Sequence, residues 1–157
     1  MFDRILIANR GEIALRVIRT AREMGIETVA VYSDVDRKSL HARMAHSAVP
    51  LGGTLPRESY VDGAKVIRAA LETGAQAIHP GYGFLSENAE FARAVTEAGL
   101  TWIGPPPAAI EAMGDKITSR RHMQKAGVPF VPGLVEPVAD VKSAASAAKE
   151  IGYPVAI

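Results

Sequence analysis

Arg4-Ile5-Leu6-Ile7-Ala8-Asn9-Arg10-Gly11-Glu12-Ile13-Ala14-Leu15-Arg16-Val17-Ile18-Arg19-Thr20-Ala21-Arg22-Glu23-Met24-Gly25-Ile26-Glu27-Thr28-Val29-Ala30-Val31-Tyr32 is the stretch on which the fold turns. Its apolar residues change period twice. Arg4 to Ala8 is a short run of strand length. Glu12 to Met24 carries Ile13, Val17, Ile18, Ala21 and Met24 at helical spacing, with Arg16, Arg19, Arg22 and Glu23 off that face. Gly25 then ends the helix, because glycine enters the left-handed region at a helix end without steric cost. Thr28 to Tyr32 is a second strand, apolar without alternation, as in a parallel sheet covered on both faces. Strand, helix and parallel strand imply a right-handed crossover.

The same punctuation continues outward. Helix-like segments close on Gly25, Gly74, Gly99, Gly127 and Gly152, each followed by an apolar start. Between them the pattern predicts strands at Ala48 to Leu51, Ala77 to His79 and Thr101 to Ile103. It predicts helices at Tyr60 to Thr73, with Ala64, Ile67 and Leu71 inward, and at Ala89 to Ala98, with Phe91, Ala92 and Val95 inward. This order makes the first hundred residues a parallel α/β domain with its own core. Gly104-Pro105-Pro106-Pro107 is a stiff break. Helices are expected at Ala108 to Met113 and Lys116 to Ala126, split at Gly114-Asp115. Pro129 to Gly133 reads as an extended linker and Asp140 to Ile151 as an Ala-rich helix. A strand is expected to open at Tyr153 and run to Ile157. It would lack a pairing partner in the sequence that remains. The chain is therefore expected to be part of something longer.

Composition narrows the function. The 157 residues are 48% hydrophobic and 22% charged, with a net charge of +1. That is globular composition, too balanced for an electrostatic nucleic-acid binder. There is no cysteine, which excludes a disulfide scaffold, a thiolate metal site and a cysteine nucleophile. No apolar run approaches the roughly 20 residues that cross a bilayer. A soluble, cytoplasmic protein is expected, with no nucleic-acid or membrane partner.

Ligands of such sheets bind at the carboxyl ends of the strands. Three loops qualify. The first, Ala8-Asn9-Arg10-Gly11-Glu12-Ile13, has one glycine where a dinucleotide fingerprint needs three. Without those glycines, Asp34 and Asp36 after the second strand carry little weight as ribose-binding acids. The second loop is His79-Pro80-Gly81-Tyr82-Gly83-Phe84-Leu85-Ser86-Glu87-Asn88. Its glycines permit a tight turn and a close approach to the backbone, and Ser86 or Asn88 can cap the following helix. Read as a plain turn, it would use Tyr82 and Phe84 to cover the core edge, with His79 a satisfied strand-end histidine. The third, Met113-Gly114-Asp115-Lys116, puts a lysine beside a capping aspartate in a first helical turn. A cation there opposes the helix dipole, which makes more sense with an anion bound beside it. Read blandly, it is a solvated lysine.

The three motifs, in this order, resemble the amino-terminal part of biotin carboxylase, the ATP-grasp component of acetyl-CoA, propionyl-CoA and pyruvate carboxylases. They are Ile7-Ala8-Asn9-Arg10-Gly11-Glu12-Ile13-Ala14, His79 to Asn88, and Met113-Gly114-Asp115-Lys116; Ile151-Gly152-Tyr153-Pro154-Val155 is similar to the approach to the family's glycine-rich ATP loop. The resemblance implies a Rossmann-like, parallel-sheet pre-ATP-grasp domain at 1–103, linker helices at 104–130 and the start of the ATP-grasp lid at 131–157. It implies ATP and Mg2+ (or Mn2+) as cofactors and biotin on a carrier domain as the group carboxylated. Lys116 matches an ATP-contacting lysine. Tyr82, Gly83 and Glu87 match a loop facing biotin and carboxyphosphate. Arg16, Arg19 and Glu23 match a dimer contact. The implied partners are a biotin carboxyl carrier domain, a carboxyltransferase component and a second copy in a homodimer. The glycine-rich loop, metal ligands and catalytic residues would lie beyond Ile157, so no catalytic residue and no metal ligand is assigned within the chain, and the chain alone is expected to be inactive. Two other readings stay open. One is a Rossmann-type nucleotide-binding domain of an oxidoreductase, which the lone Gly11 disfavours. The other is a non-catalytic assembly module.

Overall fold

The computed structural model describes the chain apart from Asp115, Phe130, Pro132, Val135, Glu136, Ala156, Ile157 and the side chain of Lys116. Its contacts divide it into two units, Met1–Pro107 and Ala108–Ile157. The first holds a five-stranded, all-parallel sheet. The strands are β1 (Arg4–Ile7), β2 (Glu27–Tyr32), β3 (Ser47–Pro50), β4 (Ala77–His79) and β5 (Thr101–Trp102), in the spatial order β3-β2-β1-β4-β5. The five strands expected in this unit are all present, with bounds that differ by a residue or so. Helices α1 (Gly11–Glu23), α2 (Leu40–Met44), α3 (Gly63–Glu72) and α4 (Ala89–Glu97) make the connections. The five stop glycines all have positive φ.

Alternate strand residues point to opposite faces. Leu6, Ala8, Val29, Val31 and Ile78 pack with Val66, Ala69 and Ala70 of α3 and with Phe91 and Val95 of α4. On the other face Ile5 and Ala77 meet Ala21, and Ile7 meets Ala14 and Ile18, all on α1. Both sheet faces thus carry helices, which is why Ile5–Ile7 of β1 and Val29–Val31 of β2 are apolar without alternation.

The inward residues of α4 are those expected, but two helices need correction. On α3 the buried residues are Val66, Ala69 and Ala70, while Leu71 is 53% exposed and Ala64 is exposed. The helix is apolar on more than one stripe, so period alone could not choose between them. The stripe that meets the sheet has alanines at 69 and 70, which let the backbones approach. The expected helical start at Tyr60 is a turn, and Asp62 caps the helix by accepting the Lys65 N–H at 3.1 Å. On α1, Met24 lies past the helix end and is 52% exposed, whereas Ala14, not singled out, is fully buried.

The second unit contains α5 (Pro107–Gly114), α6 (Lys116–Lys125) and α7 (Val141–Ile151), the last capped by Asp140, which accepts the Ser143 N–H at 2.7 Å. These match the expected helices. Residues 153–155 form no strand, and the rest of the strand expected to reach Ile157 lies outside the described residues.

Candidate functional site

The order β3-β2-β1-β4-β5 has one switch point. From β1 the chain moves outward to β2 and β3, then returns across the sheet to β4 beside β1. The loops after β1 and β4 therefore diverge, and their junction is where an open α/β sheet binds ligands.

Asn9 joins those two loops. It directly follows β1 and is completely buried. Its Nδ2 donates to the Pro80 carbonyl at 2.8 Å and to the Tyr82 carbonyl at 2.9 Å, and its Oδ1 accepts the Arg10 N–H at 2.9 Å. Gly81 lies between the two clamped carbonyls with φ +66°. A Cβ there would come 2.7 Å from Ile13 Cγ2 and 2.8 Å from Asn9 Nδ2. Gly83 has φ +68° but nothing within 4 Å of a Cβ. The close approach expected of this loop belongs to Gly81, while Gly83 answers only to its backbone angle.

The rest of the loop divides between core and solvent. Tyr82 is 62% exposed, and its hydroxyl donates to Glu12 Oε2 at 3.3 Å. It does not cover the core. Phe84 does: it packs against the core and stacks on Tyr60 at 5.4 Å, although its own φ is +46°. Glu87 is exposed, and Asn88 caps α4 by accepting the Phe91 N–H at 2.9 Å. The structure thus puts Tyr82, Gly83 and Glu87 on one loop at the carboxyl edge. Arg16, Arg19 and Glu23 are on the exposed side of α1, Arg16 paired with Glu12 at 3.5 Å. Lys116 opens α6 in the second unit; the cap assigned to Asp115 lies outside the described residues.

A charged cluster supports the first loop. The Arg10 guanidinium stands 5.8 Å from the ring centres of both Tyr60 and Phe84 and 3.6 Å from Asp36 Oδ2. Asp36 accepts from the Tyr60 hydroxyl at 2.7 Å, from Ser33 Oγ at 3.2 Å and from Ser39 Oγ at 3.0 Å. Burial pushes the Asp36 carboxyl up, but those three hydrogen bonds and the Arg10 charge outweigh it, and it stays below the usual carboxylate value. Burial, then the bond to Asp36, pushes Tyr60 up to about 12. Asp36 is thus committed to holding the loop.

His41 on α2 and His79 at the end of β4 are both biased toward the neutral form by burial. His41 Nδ1 accepts the Gly11 N–H at 3.3 Å, which leaves the proton on Nε2 to donate to the Val31 carbonyl at 3.2 Å. His79 Nδ1 accepts the Gly81 N–H at 3.0 Å, as a satisfied strand-end residue would. Burial lowers both pKa values. The sequence reading did not single out His41, Tyr60 or the helix α2. Asn9 stands out in the sequence only as part of a motif, although a polar residue directly continuing a buried strand is a usable signal.

Among the described residues no group of three His, Cys, Asp or Glu side chains could hold a metal ion, and no helix is long and apolar enough to cross a membrane.

The sheet order and the paired switch-point loops define a doubly wound α/β domain. The family model for the biotin carboxylase N-terminal domain matches residues 1–110, and that for the carbamoyl-phosphate synthase L chain ATP binding domain matches residues 115–157. This chain belongs to the biotin carboxylase family and corresponds to its amino-terminal part. It is 55% identical over 157 residues to the propionyl-CoA carboxylase alpha chain of Ruegeria pomeroyi, covering 100% of this chain and 23% of that one. To the biotin carboxylase of Nostoc it is 54% identical over 156 residues, covering 99% and 35%. Among solved structures, the biotin carboxylase domain dimer of Hydrogenobacter thermophilus 2-oxoglutarate carboxylase, in complex with MgADP, ADP and bicarbonate, superposes with a TM-score of 0.89 at 51% identity. That match covers 98% of this chain and 34% of that one. The chain thus spans about a quarter to a third of the length of these relatives.

Proposed function

We propose that the intact protein is an ATP-dependent biotin carboxylase that uses ATP and bicarbonate to carboxylate biotin on a carrier domain, within an acyl-CoA or pyruvate carboxylase. The observation that carries this reading is the order of the two matches: a biotin carboxylase domain over 1–110 is followed by an ATP-binding domain at 115–157. In domain terms we assign the amino-terminal domain to 1–103, linker helices to 104–130 and the start of the lid to 131–157. The contact division at Pro107 supports the first boundary.

Bound with Mg2+ (or Mn2+), ATP would supply the phosphoryl group that activates bicarbonate. This chain offers it the start of α6, where first-turn N–H groups lack helical acceptors and Lys116 is the first residue. Lys116 would hold phosphate. Tyr82, Gly83 and Glu87 would line the side facing biotin and carboxyphosphate. No metal ligand or catalytic group is assigned here, and the chain by itself is proposed to be inactive. Phosphoryl transfer needs a phosphate cradle, metal-holding carboxylates and a fixed nucleophile. One lysine contact contributes about 1–3 kcal/mol, against the roughly 8 kcal/mol or more that enzymes take off a barrier.

The proposed partners are a carrier domain, a carboxyltransferase component and a second copy docked through Arg16, Arg19 and Glu23. The dimeric Hydrogenobacter domain supports a second copy as a partner; the α1 residues are the proposed contact. The proposed compartment is the cytoplasm, to be checked by fractionation, since some plant relatives are named as mitochondrial. In the full-length protein, bicarbonate-dependent ATP hydrolysis that free biotin accelerates is expected. Its absence, together with NADH-induced quenching of Trp102 fluorescence, would favour the oxidoreductase reading.

A further inference from the structure

The motif after β1 has no role in the function as proposed. It lacks the glycines of a nucleotide loop, and its one buried polar side chain, Asn9, faces inward. We infer that Asn9 is a positioning residue, whose carboxamide shapes the Tyr82–Gly83 loop by clamping the carbonyls on either side of Gly81. The inference rests on the proposed biotin-facing role of that loop.

Three observations converge on it. Asn9 is completely buried, and both hydrogen-bonding ends of its amide are engaged. Nδ2 spans the Pro80 and Tyr82 carbonyls at 2.8 and 2.9 Å, and Oδ1 holds the Arg10 N–H at 2.9 Å. Gly81 has no room for a Cβ because Asn9 and Ile13 occupy that space, so the glycine exists in part to admit the carboxamide. Beyond the clamp the loop adopts left-handed backbone at Gly83 and at Phe84, a conformation a phenylalanine holds only when its surroundings impose it. The Tyr60 stack fixes the far end at Phe84, and Arg10 lies over both rings. Asn9 fixes the near end. Tyr82 and Gly83 lie between the two anchors, so their backbone is set before any ligand arrives. Such preorganisation lowers the ordering cost of binding.

The test uses Asn9→Ala, which removes the clamp, and Gly81→Ala, which keeps Asn9 but drives it off the carbonyls. Amide exchange is read on the 157-residue chain at Gly81 and Ser86, whose N–H groups bond His79 Nδ1 and the Gly83 carbonyl. Kinetics are read on the full-length carboxylase with free biotin. Tenfold or faster exchange at these amides is expected, with residues 5–7 and 29–31 still protected. KM for biotin should rise at least fivefold while bicarbonate-dependent ATP hydrolysis without biotin holds within twofold. If Asn9→Ala does not fold, Gly81→Ala decides alone. A folded variant with wild-type loop protection, or with an unchanged KM for biotin, would overturn the inference. A wild-type enzyme without bicarbonate-dependent ATP hydrolysis would instead count against the proposed function, and the exchange comparison would still decide the clamp.

Discussion

Gly81 and Gly83 share a backbone angle but not a constraint. At Gly83 the space beside the backbone is open, so alanine should cost only the left-handed conformation, about 1–2 kcal/mol. At Gly81 the same angle is joined by contacts of 2.7 and 2.8 Å, so alanine should cost clearly more. Urea unfolding of the two variants, side by side, checks the order; equal midpoints would mean that Asn9 and Ile13 yield freely. Lys116 belongs to the same scale. A charge that meets phosphate in ground and transition states alike raises affinity without changing the chemical step. Lys116→Ala in the full-length enzyme should therefore raise KM for ATP more than it lowers kcat, and an unchanged KM would remove it from the nucleotide site.

Among the elements, α3 and α4 show how burial chooses a stripe. Leu71 is bulky and apolar yet half exposed, while Phe91 is 5% exposed and meets Trp102 edge-on at 5.6 Å. Leu71→Ala should change stability by no more than about 0.5 kcal/mol, whereas Phe91→Ala should cost about 3–5 kcal/mol. Thermal melts of the two variants separate these outcomes without ambiguity. On α1, Arg19 is exposed and the core does not use it. Exposed charge pairs are worth about 1 kcal/mol at most within a chain, so reversing this one leaves the fold intact. If α1 forms the proposed dimer contact, Arg19→Glu shifts full-length protein toward monomer in sedimentation. An unchanged dimer population would move the contact elsewhere.

For the first unit as a whole, acid stability follows from groups that folding holds in one charge state. Burial first, and little else, keeps His41 and His79 below the ordinary value of 6.5. The unfolded chain accepts protons that the folded chain refuses, so stability is complete above that value and falls as pH drops below it. Asp36 acts lower, because its folded pKa lies below 3.8 and its contribution is lost only as pH falls through that depressed value. The melting temperature should therefore decline between pH 7 and 5, and decline again below about pH 4. His41→Gln should flatten the first decline even where its absolute melting temperature is lower. An identical slope would show that His41 takes up its proton inside the fold.

Much of this architecture follows from local rules. The apolar runs at Ile5 to Ala8 and Val29 to Val31, the helical stripe ending at Gly25 and the repeated glycine stops specify parallel strands and crossover helices. Each depends only on period and on backbone angles that few residues adopt. The motifs around Asn9, Gly81 and Lys116 were likewise visible as motifs, and their order marked the family. What sequence period could not decide was which of several apolar stripes on α3 meets the sheet, because that depends on how closely two backbones approach. Nor could it assign Asn9, Arg10, Asp36, His41 and Tyr60 to the candidate site. The partners that join them into one site lie 24 to 74 residues away in the chain, and only the return of β4 to the side of β1 brings the two switch-point loops within hydrogen-bonding distance.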